Sequence, residues 1–171
     1  MASNIVVRTG DRDIPIASHP IVVILDNLRS AYNVGNIFRL AETCRIEQIV
    51  TCGYTATPPH PKLEKTARGC ERLVPCTHCD SSLEAVRILK DRQYHVVAVE
   101  TVEHAPAAWE HRYQLPLAVV FGNEALGIDP DTLSLCDAAV QLPCYGTKNS
   151  LNVSNSAAVV LYTVIRQIVS R

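Results

Sequence analysis

Short apolar runs rich in β-branched residues recur along the chain at residues 21–25, 48–51, 73–76, 95–99, 117–121 and 138–142, and each reads as a strand. Between most of them the apolar positions repeat at helical spacing. Val34, Ile37, Phe38, Ala41 and Cys44 mark one helix face, and Leu83, Val86, Leu89 and Lys90 fall in a second helix opened by the capping pair Ser81-Ser82. From about residue 153 to 169, Val153, Ala157, Val160, Leu161, Val164, Ile165 and Ile168 form a broad apolar stripe. That stripe suits either core packing or pairing with a second copy of the chain. Strands and helices alternating in this way predict an α/β fold, a mostly parallel sheet with helices on both faces. The segment Thr57-Pro58-Pro59-His60-Pro61 is a loop, because prolines this dense deny a ladder its donors.

A chain of 171 residues fills one well-packed domain and is too short for two. Residues 1–171 are therefore expected to be a single domain, with 1–20 as an N-terminal extension. Sixteen basic residues against seventeen acidic ones leave a net charge of −1, so no overall field draws in a polyanion. Any nucleic-acid site must be a local patch. The seven cysteines are an odd number in scattered apolar contexts, and no secretory signal opens the chain, which predicts a reducing, cytoplasmic setting. No apolar run reaches the roughly 18 residues that span a bilayer, so a soluble protein without membrane contact is expected.

Three polar, glycine-containing segments begin where a predicted strand ends, the edge at which open parallel sheets bind ligands. The first is Asn33-Val34-Gly35-Asn36-Ile37-Phe38-Arg39. Its Asn33 occupies an N-cap-like position, and Gly35 lies one helical turn before Arg39, a small residue beneath a long cation that leaves room for a substrate backbone. A capping asparagine and a solvated surface arginine would account for the same residues. The second is Phe121-Gly122-Asn123-Glu124-Ala125-Leu126-Gly127, in which Glu124 is either a site carboxylate or a helix N-terminal acid. The third runs from Leu142-Pro143-Cys144-Tyr145-Gly146 through Ser150, Leu151, Asn152 and Ser154 into the last helix. There backbone N–H groups are free, and one polar residue is the cap.

Taken together, these segments resemble the three ordered motifs of the SpoU/TrmH RNA ribose methyltransferases, of the SPOUT superfamily, over residues 21–167. Asn33, Gly35 and Arg39 match the first motif, Gly122, Glu124 and Gly127 the second, and Leu142, Pro143, Gly146, Ser150, Leu151, Asn152 and Ser154 the third. The resemblance implies a C-terminal deep trefoil knot, which general topology rules would not suggest. It further implies a homodimer, S-adenosylmethionine as cofactor, and methyl transfer to a ribose 2′-hydroxyl of RNA, with tRNA favoured over rRNA as the substrate. Gly122, Leu142, Ser150 and Leu151 would line the methyl donor, with Glu100 and Thr101 from another strand end completing the pocket. Arg39, Asn33, Glu124, Ser150 and Asn152 would be the catalytic set. Arginine keeps its proton at any ordinary pH. Arg39 is therefore expected to bind phosphate or stabilise the developing alkoxide, with the other four orienting it and the ribose.

Lys62, Lys65, Arg68 and Arg72 make a short cationic run that is either a solvated helix face or an RNA-docking patch, with Lys65 and Arg68 on phosphates. No separate RNA-binding domain is expected in a chain this small. Cys76-Thr77-His78-Cys79 has zinc-like spacing without a second ligand pair, so no metal is expected. Cys144 stands where related enzymes often carry methionine, a change that bears on the shape of the donor pocket. The absence of G-x-G-x-x-G and of a P-loop pattern counts against a dinucleotide or nucleotide enzyme. A catalytically silent member of the same fold, holding RNA or a partner protein, is the other reading.

Overall fold

The structure, a computed structural model, describes residues 17–170. Its centre is a six-stranded sheet in the order β3-β2-β1-β5-β4-β6, and every pairing is parallel. The strands are β1 (His19–Asp26), β2 (Ile46–Cys52), β3 (Cys76–Cys79), β4 (His95–Val99), β5 (Leu117–Phe121) and β6 (Ala138–Val140). Helices α1 (Ala31–Thr43), α2 (Pro61–Ala67), α3 (Ser82–Asp91), α4 (Pro130–Leu135) and α5 (Val153–Val169) connect or follow them. Most of the N-terminal extension lies outside the described residues.

Successive side chains of a strand point to opposite faces, and β1 uses both faces for burial. Ile21, Val23 and Leu25 pack with α1, α2 and α5, while Val22 and Ile24 pack with α3, Ile128 and α4. β5 divides the same way, Leu117, Val119 and Phe121 to one side and Ala118 and Val120 to the other. These runs are continuously apolar because neither face meets water. The stripe on α5 goes to the core: Val153, Ala157, Val160, Leu161 and Val164 are buried, Ile165 and Ile168 pack against them, and Val159, Tyr162 and Val169 stay exposed.

Two expected elements are displaced. The third strand begins at Cys76 instead of spanning residues 73–76, because the preceding chain is folded into a tight turn. Glu71 accepts from the Gly69 N–H at 2.9 Å, and the N–H groups of Leu73 and Val74 both bond the Cys70 carbonyl. Pro75 has no donor, so the ladder starts with its carbonyl, which accepts from Ile49 N–H. The cap of α1 is Ser30, whose Oγ accepts from Asn33 N–H at 3.3 Å, and Asn33 stands inside the first turn. α4 was not expected, although Asp129-Pro130 carries its signal: Asp129 caps the N–H groups of Asp131 and Thr132, and Pro130 takes a first-turn position where no donor is needed.

Gly35 is buried in the seam between α1 and α2, not in an open niche below Arg39. A Cβ there would lie 2.1 Å from Thr66 Oγ1 and 2.3 Å from the Leu63 carbonyl oxygen. The missing side chain thus serves helix packing, and α2 rides close enough for Thr66 Oγ1 to donate to the Tyr32 carbonyl at 2.9 Å. Because a backbone oxygen blocks the extra methyl, Gly35→Ala is expected to destabilise the fold by about 1–3 kcal/mol, read as a lowered urea midpoint at unchanged slope.

Candidate active site

The carboxyl ends of β4 and β5, the segment after β6 and the start of α5 surround a cavity of about 460 Å³. Glu100, Thr101, Gly122, Glu124, Leu142, Ser150, Leu151 and Asn152 all line it, so eight of the expected site residues meet in one place. Each arrives on a loop that leaves a strand at the same sheet edge, as parallel strands require. The volume is in the range of small-molecule sites. The glycines of the second motif make the wall thin. A Cβ on Gly122 would stand 2.4 Å from Gly127 C and Ile128 N, and Gly127, at φ +73°, would put one 2.5 Å from Glu100 Oε2.

Glu124 is the hub of the polar groups. Its Oε2 accepts from Arg29 N–H at 2.8 Å, and its Oε1 accepts from Ser30 N–H at 3.2 Å and from Asn33 Nδ2 at 3.0 Å. The carboxylate therefore caps the entrance to α1 from 95 residues away in sequence. Asn33 Oδ1 in turn accepts from Asn152 Nδ2 at 3.2 Å. Asn152 is the cap of α5, its Oδ1 accepting from Ser154 N–H at 3.0 Å. One line of hydrogen bonds, Glu124 to Asn33 to Asn152, joins all three motif segments. Ser150 lines the cavity with its hydroxyl unpartnered among the described residues.

On the far wall Glu100 Oε2 accepts from Ile128 N–H at 2.9 Å and Oε1 from Thr101 N–H at 2.9 Å. Asn123 also lines the cavity, and its importance was not drawn from the sequence. Its amide oxygen accepts from Ala125 and Leu126 N–H, and its amide nitrogen donates to the Asn27 carbonyl and the Tyr54 hydroxyl. Every hydrogen-bonding capacity of that side chain is used. An asparagine between Gly122 and Glu124 hints at a turn, but its tie to the loops after β1 and β2 is a long-range fact.

Arg39 does not join this group. It follows Asn33 by six residues on α1, which places it about 9 Å further along the axis and well round the helix. Its guanidinium is exposed and, among the described residues, makes no hydrogen bond or ion pair; the expected orientation of Arg39 by Asn33, Glu124, Ser150 and Asn152 is absent. Its charge is felt at Cys70, where burial pushes the thiol up and Arg39 draws it partly down. Lys65 on α2 and Arg68 at its left-handed C-cap are exposed and away from the cavity. Arg72 lies 3.4 Å from Glu71. Cys76–Cys79 forms β3, and among the described residues no three His, Cys, Asp or Glu side chains converge as metal ligands.

Burial alone would raise the Glu124 carboxyl, but the bonds from Arg29 N–H, the Asn33 amide and Ser30 N–H outweigh it and hold the group below its ordinary value. A depressed carboxyl contributes stability that is present above its unfolded-state value and is lost as pH falls through the folded one. Acid unfolding of Glu124→Gln is therefore expected to be less steep than that of the wild type below the ordinary carboxylate range, with the two proteins differing most at neutral pH. Parallel acid-limb profiles would show that the capping charge contributes nothing.

A profile of the SpoU rRNA Methylase family matches residues 20–162. The tRNA (guanosine(18)-2′-O)-methyltransferase of Thermus thermophilus is 32% identical over 147 residues, covering 86% of this chain and 75% of that protein. The 23S rRNA (uridine(2479)-2′-O)-methyltransferase of Streptomyces viridochromogenes is 28% identical over 161 residues, 92% of this chain and 56% of that one. Among solved structures, the SpoU methyltransferase AviRb from Streptomyces viridochromogenes in complex with the cofactor AdoMet superposes with a TM-score of 0.82 at 26% identity, over 92% of this chain and 64% of AviRb. With the motif segments, the sheet and the cavity in agreement, this chain belongs to the SpoU rRNA Methylase family.

Proposed function

We propose that this protein transfers a methyl group from S-adenosylmethionine to a ribose 2′-hydroxyl of tRNA. The observation that carries the proposal is the hydrogen-bonded line from Glu124 through Asn33 to Asn152 at the rim of a cavity walled by Gly122 and Glu100. The cavity fits the cofactor: its glycine wall admits a flat group close to backbone, and free backbone and hydroxyl groups around Ser150 and Leu151 suit an adenosine. Gly122, Leu142, Ser150 and Leu151 would hold it, with Glu100 and Thr101 closing the opposite side. Bound there, S-adenosylmethionine supplies an electrophilic methyl.

The chain's own contribution is placement and charge. Holding two reactants in line lowers the barrier by about 7–11 kcal/mol, because their freedom of motion is given up at binding and not at the reaction. The fixed amides of Asn33 and Asn152 with Ser150 are available to hold a ribose beside the cavity. Arg39 supplies the positive charge that Glu124 cannot. With its guanidinium unpaired among the described residues, it is free to engage an RNA phosphate or, where bound RNA brings the ribose to it, to stabilise negative charge building on the 2′-oxygen. Lys65 and Arg68, exposed and outside every ion pair among the described residues, extend that cationic surface toward the flanking RNA.

The C-terminal deep trefoil knot, the homodimer and the cytoplasmic setting belong to the same reading. Family membership supports the knot, and the exposed Val159, Tyr162 and Val169 of α5 support pairing of two copies. Seven free cysteines suit a reducing compartment, and no helix of the described residues is long and apolar enough to cross a membrane. The similarity to a tRNA-modifying relative favours tRNA over rRNA.

With labelled S-adenosylmethionine and bulk tRNA and rRNA from cells lacking the gene, the wild type is expected to label a single ribose 2′-oxygen in tRNA. Arg39→Ala should lower turnover by about 10²-fold or more while leaving donor affinity unchanged; full activity in that variant refutes the role of Arg39. Donor binding without label in either RNA would favour a silent binding protein. Replacing Lys65 and Arg68 together by alanine should weaken tRNA binding and reduce the slope of log affinity against log salt by roughly one unit for each phosphate no longer neutralised. An unchanged slope would make these residues solvated surface only.

A further inference from the structure

Tyr54, in the loop between β2 and α2, is 61% exposed and yet held at two points. Its N–H donates to Asn27 Oδ1 at 3.3 Å, and its hydroxyl accepts from Asn123 Nδ2. The first contact depends on Gly53, at φ +58°, where a Cβ would lie 2.0 Å from Asn27 Oδ1. The second ties the phenol to the side chain that shapes the second motif loop, one residue from Glu124. The same amide holds the turn bearing Leu126 through the Leu126 N–H at 3.0 Å, and Leu126 is 84% exposed. One buried asparagine thus presents two exposed apolar groups beside the active-site carboxylate.

Ordering an exposed side chain costs entropy that a ligand must otherwise supply at binding, and a tyrosine fixed at both ends is already ordered. Its hydroxyl is engaged, so the ring faces are what it offers. The exposed Arg29, whose N–H bonds Glu124, can take a backbone phosphate, which leaves the tyrosine ring for a base. A flat, uncharged aromatic group fits: bases splayed from single-stranded RNA stack on such rings irrespective of sequence. We infer that Tyr54 is a stacking residue that receives the nucleobase adjoining the acceptor ribose, flanked by Leu126. The inference rests on the methyl-transfer reading and adds to it the element that positions the acceptor nucleotide.

The test compares wild type, Tyr54→Ala and Tyr54→Phe for methyl transfer to bulk tRNA, with S-adenosylmethionine affinity by equilibrium dialysis and tRNA affinity by filter retention. Tyr54→Ala is expected to raise KM for tRNA and weaken its retention about tenfold, leaving kcat at saturating tRNA and donor affinity as in the wild type. Tyr54→Phe, which keeps the ring, should recover most of that affinity. If Phe behaves as Ala does, the bond to Asn123 matters instead of the ring, and the inference falls. Unchanged KM and retention in Tyr54→Ala overturn it as well. Absence of transfer by the wild type itself would overturn the methyl-transfer reading, while the retention series still decides whether the ring holds RNA.

Discussion

The interaction on which the site depends is the capping of α1 by a carboxylate that arrives from the end of β5. A helix start exposes N–H groups that need acceptors. Ser30 takes one of them through its hydroxyl, and Glu124 takes those of Arg29 and Ser30 just before the helix. The same carboxylate fixes Asn33, and Asn33 fixes Asn152 at the start of α5. Two helix entrances and one strand end are thereby locked in a single hydrogen-bonded line. That line can form only because β1 and β5 are neighbours in the sheet, aligned in parallel from Ile21↔Leu117 to Leu25↔Phe121.

The strand order makes the neighbours. β5 inserts between β1 and β4, so the loops after β1 and β5 open side by side, and those after β4 and β6 close the next flank. Apolar burial on both faces holds these strands, and their side chains meet the cavity only at the ends, through the buried Phe121 and the half-buried Val99. The loops carry the chemistry and the sheet fixes their spacing. Glycine at 122 and 127 then lets backbone and the Glu100 carboxylate come together where any side chain would intrude.

Charge is divided between two regions. The cavity lining holds amides, hydroxyls and the Glu100 and Glu124 carboxylates, while the exposed Arg29, Arg39, Lys65 and Arg68 lie outside it. No residue lining the cavity is basic, so nothing there repels a cationic sulfonium. This separation explains how a chain with a net charge of −1 can be fitted to RNA: the field is local.

Much of the architecture was legible from local pattern. Residues 95–99 and 117–121 were strands as read, the last helix ran from Val153 to Val169, and Ser81 capped α3; each depends on side-chain periodicity or a neighbouring hydroxyl, which sequence carries directly. That the segments after β4, β5 and β6 would meet at one site was legible too, because loops that leave parallel strands open at the same sheet edge. What local pattern could not supply was any choice settled by a distant partner. It assigned the cap of α1 to Asn33 when Ser30 takes that place and the Asn33 amide is held between Glu124 and Asn152, and gave Gly35 to a substrate when α2 occupied the space. It started β3 too early, because Glu71 had folded the chain before it. It grouped Arg39 with Asn33 although the helix turns them apart, and passed over Asn123, whose partners come from the loops after β1 and β2. Sequence by itself determined which segments are strands and helices and which residues are chemically able to serve, since those depend on neighbours along the chain. Tertiary structure alone decided which of those residues meet, because hydrogen bonds and close contacts across 95 residues are set by strand order and packing.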